Sequence, residues 1–91
     1  MPDEPTSMQA QSDLGEAQDS VHKARRAVAQ ALSNTTATSL EQASNALQKA
    51  QHAVAACADS PMGPVVREVQ EELASVETDF RQAQQNTHGG I

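Results

Sequence analysis

The chain has no tryptophan, no tyrosine and a single phenylalanine, Phe80. Aromatic and β-branched apolar residues, which favour strands, are scarce, whereas alanine and glutamine favour helix. An all-α class is therefore expected. The one cysteine, Cys57, has no intrachain partner for a disulfide, which is compatible with a reducing compartment. Long apolar runs are missing too. No stretch approaches the ~20 apolar residues that a membrane span requires. The first thirteen residues, MPDEPTSMQAQSD, lack the apolar segment of a Sec signal peptide. A cytoplasmic location is expected, with secretion by a route that uses no such signal as the alternative.

Basic residues are in deficit. Six Lys and Arg face twelve Asp and Glu, for a net charge of −6 at pH 7. A surface of that sign repels phosphate backbones and anionic lipid, so nucleic acid and membrane are not expected partners. The familiar chemical spacings are missing as well. His22, His52 and His88 are scattered, with no HxxxH, ExxH or CxxC among them. No GxSxG frame or phosphate-binding glycine loop occurs. No enzyme, metal, cofactor or small-molecule substrate is expected on these patterns.

What the chain does have is seven-residue repetition. In the first segment Leu14, Val21 and Val28 interleave with Ala17, Ala24 and Ala31, and Leu32 lies beside them. In the central segment, Leu40–Ala58, the series Leu40, Ala43, Leu47, Ala50, Val54 and Cys57 advances by threes and fours. That is the seam of a helix packing on other helices. Ala46, Ala53, Ala55, Ala56 and Ala58 widen its apolar surface, so this helix is expected to have neighbours on more than one side. A third segment carries Val66, Val69, Leu73, Val76, Phe80 and Ala83, with Met62 extending the register backwards.

The breaks between segments are also legible. Ser33-Asn34-Thr35-Thr36-Ala37-Thr38 interrupts the first pattern with turn-prone and β-branched polar residues. Thr38 with Glu41, or Ser39 with Gln42, has the spacing of a capping box for the next helix. Asp59-Ser60-Pro61-Met62-Gly63-Pro64 is the firmest break, and Pro64 suits a first helical position. A 91-residue chain fits one domain. The expectation is an antiparallel up-down-up three-helix bundle with heptad-patterned, alanine-rich helices at about 8–33, 39–58 and 64–86. Residues 1–6 and 87–91 are expected to be tails.

The large core candidates are Leu14, Val21, Val28, Leu32, Leu40, Leu47, Val54, Met62, Val66, Val69, Leu73, Val76 and Phe80. Full burial of each contributes about 1.5–3 kcal/mol. Backbone ordering offsets most of that, so a marginally stable monomer or a self-associating chain is expected. Phe80, the largest side chain, is expected in the core, with Phe80→Ala costing about 3–5 kcal/mol.

In such a bundle the first and third helices run parallel. Aligning Leu14 with Val66 sets Arg25 and Arg26 level with Glu77 and Asp79. It also gathers Asp13, Glu16, Asp19, Asp59, Glu68, Glu71 and Glu72 at one acidic pole, relieved mainly by Arg67. Acids at helix starts suit the helix dipole, and Arg67–Glu71 and Glu77–Arg81 have ordinary i,i+4 spacing. The pole also suits a basic protein partner. The other candidate surface is the sparsely charged outer face of the central helix: Gln48, Gln51, Ala55 and Ala56.

In length, alanine content and helical character the chain resembles small helical proteins associated with type VII secretion. Their Trp-x-Gly turn between two helices and their tyrosine-containing export signal are both missing here, as the chain has neither residue. The resemblance covers composition rather than motif, and implies only a secretion-linked alternative. From the residues themselves the expected function is a non-catalytic helical interaction module, an adaptor or small assembly subunit. It would bind a protein partner or itself through a helix face or the acidic pole.

Overall fold

A computed structural model describes residues 3–58 and 63–89, with side chains described for 13–58 and 63–86. Three helices follow in order: α1, Asp3–Ser33; α2, Ala37–Ala56; and α3, Gly63–Gly89. They pack on one another as an all-α, up-down-up three-helix bundle. The molecule is a rod, 60 × 21 × 14 Å. Helix α1 starts at Asp3, ahead of the position near residue 8 expected from the sequence. The expected tails, residues 1–6 and 87–91, fall where side chains lie outside the described residues, as do Asp59 and Met62.

The heptads fold as their spacing requires, but not all to the same depth. Both interleaved sets of α1 are buried: Leu14, Val21 and Val28, and Ala17, Ala24 and Ala31. Of the seam of α2, Ala43, Leu47, Ala50, Val54 and Cys57 are buried and Leu40 only partly so. On α3, Val66, Val69, Val76 and Ala83 are buried, while Leu73 and Phe80 sit at the edge. So α2 does have a neighbour on each side, as expected, but α1 is the most fully enclosed of the three. The reason lies in alanine itself, which packs or faces water with equal ease. Ala55, Ala56 and Ala58 widen the apolar surface of α2 on paper and are exposed in the fold.

The contact between α1 and α2 is the most extensive of the three, and that between α2 and α3 the least. Small residues explain the first. Ala17, Ala24 and Ala31 on α1 and Ala43 and Ala50 on α2 are wholly shut off from solvent. Such residues let helix axes approach toward the low end of the ~8–10 Å range.

The turn into α2 is built by three residues, Asn34 to Thr36, and its cap differs from both expected ones. Thr36 is the N-cap: its side chain accepts from the backbone N–H of Ser39 at 3.0 Å. The Ser39 hydroxyl accepts in return from the Thr36 N–H at 2.9 Å. Ser39 is buried, and the same hydroxyl lies 2.9 Å from the Asn34 carbonyl, to which it donates. A serine thus fills the role that Glu41 or Gln42 was expected to play. Its short side chain fits inside the turn, where a glutamate or glutamine would have to reach around it. The Thr35 hydroxyl donates to the Ala31 carbonyl at 2.6 Å, satisfying one of the orphan acceptors at the end of α1.

At the far end, the N–H groups of Cys57 and Ala58 bond to carbonyls three residues back, at 3.1 and 3.2 Å. That tighter winding closes α2. Cys57 is buried, and its thiol donates to the Val54 carbonyl at 3.3 Å. Burial is the main cause that raises its pKa above the ordinary thiol range; its own backbone bonding works against this, and the charge of Asp13 adds to it. A raised folded-state pKa means this contribution to stability is complete below the unfolded thiol value, near pH 8.5, and is lost as pH climbs through the folded one. We expect Cys57 to react with a thiol-specific disulfide reagent only at the rate of unfolding, and the melting temperature to decline above about pH 8.5 more in the parent than in Cys57→Ala. Rapid, stoichiometric labelling of the native chain would place the thiol at the surface.

Candidate functional site

Shallow grooves run along the helix seams among the described residues. The one between α2 and α3, about 370 Å³, is lined by Ser44, Leu47, Gln48 and Gln51 from α2, and by Glu77, Phe80, Arg81 and Gln84 from α3. Each set advances by three, four and seven residues, which keeps it on one helix face. The helices are antiparallel, so Gln51 comes opposite Glu77, and its side-chain amide donates to that carboxylate at 2.8 Å. Leu47 forms the buried floor. Phe80 is only partly covered. This corrects its expected place in the core: the contact between α2 and α3 is too thin to close over it.

The second groove, about 420 Å³, lies between α1 and α2 and carries Glu16, Asp19, Ser20, Lys23, Gln42, Ala46 and Lys49. A third, about 370 Å³, adjoins it along Ser20, His52, Ala53 and Ala56. Both mix acids with lysines, and Lys23 and Asp19 already pair at 3.2 Å.

The ionic contacts between α1 and α3 form, but with a different acid from the expected one. Arg25 reaches Glu72, with Nη2 2.8 Å from Oε2, and His22 Nδ1 stands 3.9 Å from the same oxygen. Glu77, the expected partner, has turned to α2 and Gln51. Glu72 and Glu77 are five residues apart and so point to different sides of the helix. An alignment by height along the rod ignores that rotation. The Glu72 oxygen is shut off from solvent and has no aligned N–H donor, so the contact with Arg25 is ionic in character rather than a directed hydrogen bond. Arg25 stays about half exposed, and a pair of this kind contributes about 0.2–1 kcal/mol. Among the described residues, neither Arg67–Glu71 nor Glu77–Arg81 closes as an ion pair, and Lys23–Asp19 is the one i,i+4 pair that does.

Of the acidic-pole residues, Glu16, Asp19, Glu68 and Glu71 are exposed and Asp13 is half-buried near Cys57. Glu72 is drawn away from the pole to Arg25, and Asp59 lies outside the described residues. On the outer face of α2, Gln48, Gln51, Ala55 and Ala56 are all exposed. The fold separates them: Gln48 and Gln51 border the α2–α3 groove, and Ala56 borders the α1–α2 side. What sequence reasoning missed is that Phe80, Arg81 and Gln84 belong beside Gln48 and Gln51. Pairing the two i, i+3, i+4, i+7 stripes in antiparallel order would have found them.

Among the described residues no three His, Cys, Asp or Glu side chains gather to hold a metal, and no helix is long and apolar enough to cross a membrane. Comparison with protein-family models, with curated proteins and with solved structures finds no match.

Proposed function

We propose that the chain is a non-catalytic helical protein–protein interaction module, an adaptor or small assembly subunit, and that the α2–α3 groove is its working surface. One observation carries this reading. The chain's single aromatic side chain is left partly uncovered in a straight groove, with a buried leucine beneath it and amide side chains along its rims. Binding energy concentrates where an apolar anchor and an arginine are ringed by near-neutral contacts that exclude water. Phe80, Arg81 and the glutamines supply that arrangement. The groove also suits the helix-in-groove mode, since its two stripes offer a helical ligand contacts at matching intervals. The net negative charge favours a protein over nucleic acid or a lipid surface.

The test is photo-cross-linking in cells, with a benzophenone side chain placed at Gln48 or, as a control on the far side of the bundle, at Gln30. Both residues are exposed. Protein adducts are expected at position 48 and absent at position 30. Equal labelling at both, or none at 48, would count against the groove as the working surface.

A further inference from the structure

We propose that the occupant of the α2–α3 groove is a second copy of this chain, laid antiparallel so that Glu77 of each protomer faces Arg81 of the other. This rests on the interaction reading above and names its partner.

Charge makes the first case. A chain of net charge −6 repels its own copy over most of its surface. The groove is different. Its lining holds one acid, Glu77, and one base, Arg81; the remaining residues are uncharged. Two such faces meet without net repulsion. The side-chain geometry makes the second case. Glu77 and Arg81 stand one turn apart on α3, yet they do not pair. Glu77 takes the amide of Gln51 at 2.8 Å instead. Arg81 has no carboxylate within ion-pair distance among the described residues and is exposed on the groove's rim. Its guanidinium is open to a carboxylate arriving from across the interface.

Symmetry then fixes the arrangement. Take a two-fold axis that lies in the interface and crosses α3 at right angles, level with Asp79. It carries each α3 onto an antiparallel copy and sets position 77 opposite position 81, twice. The same operation brings the two Phe80 rings within about 3 Å of each other along the rod, from a rise of 1.5 Å per residue. They meet side by side, in the offset arrangement aromatic pairs prefer. Helix α2 meets its own copy through Ser44, Gln48 and Gln51, which carry no charge. The contact is a four-helix packing with Leu47 and Phe80 at its centre.

Sedimentation equilibrium from micromolar to millimolar concentration tests this. The parent chain is expected to dimerise. Arg81→Glu and Glu77→Arg each set like charges opposite one another and are expected to weaken the dimer tenfold or more. Circular dichroism will confirm that both variants keep the parent's helicity. The double variant, Glu77→Arg with Arg81→Glu, exchanges the signs of both members and is expected to restore association to near the parent's. A chain that is monomeric throughout would overturn the proposal, as would a dimer indifferent to both single changes, or a double variant weaker than either. A monomer that still cross-links another protein through position 48 would overturn the second copy while leaving the interaction reading in place.

Discussion

Val76→Asp is expected to leave the chain unfolded at neutral pH. Val76 is 1% exposed and is among the largest side chains that are fully buried. It occupies the inner heptad position of α3, between Val69 and Ala83, where that helix is pressed into the bundle. An isolated carboxylate at that depth costs several kcal/mol, whether it remains charged or takes up a proton. A chain of this length has about 5–14 kcal/mol of stability in total, and small cores sit at the lower end. The readout is the helical signal at 222 nm, expected to collapse at pH 7 and 25 °C. The new carboxyl has a folded-state pKa above its unfolded one, so its penalty shrinks as pH falls toward that raised value. Partial recovery of helix near pH 5 is therefore expected. Val76→Ala, which adds no charge, should remain folded with a lowered melting temperature. A Val76→Asp chain as helical as its parent would put position 76 on the surface.

Leu47→Ala is expected to destabilise the monomer more than Phe80→Ala, although phenylalanine is the larger side chain. Leu47 is 6% exposed, at the floor of the α2–α3 seam. Its truncation removes buried methyl groups and leaves a hole, at a cost of about 2–5 kcal/mol. For a domain of this size each kcal/mol shifts the melting temperature by roughly 4–8 °C. Phe80 already gives part of its ring to solvent, so the same truncation there loses about 1–2 kcal/mol. The comparison belongs at low micromolar concentration, where association does not add to the Phe80 term. Should Phe80→Ala prove the more damaging of the two, the ring is in the core and the groove closed.

The contrast between these two residues shows how far the sequence could be read. Heptad spacing is a statement about angle around a helix, and it located all three helices and the buried sets of α1 without ambiguity. It does not say how deep each seam position goes. Positions 66, 73 and 80 share one heptad column and 69, 76 and 83 the other, but only the second column is uniformly buried. Depth depends on how closely the neighbouring helix approaches, which is a property of the pair. The ion pairs failed for a related reason: Arg25 met Glu72 instead of Glu77 because facing, not height, selects partners. The cap at Thr36 was hidden by a preference for long side chains at the third helical position, where Ser39 does the same work from inside. The groove was half legible. Gln48 and Gln51 stand out for lacking charge, while the heptad position and size of Phe80 both point to the interior and neither says how far α2 stands off from it.

The alanine-lined contact between α1 and α2 has a consequence for how the rod comes apart. Those two helices are joined by a three-residue turn and share the most intimate surface, so they form a hairpin that closes early and opens late. Helix α3, which packs more on α1 than on α2 and has the least contact with the rest of the bundle, is the part expected to detach first. Amide protons along α3 would then trade with solvent through a partial opening that leaves the hairpin's own protons in place.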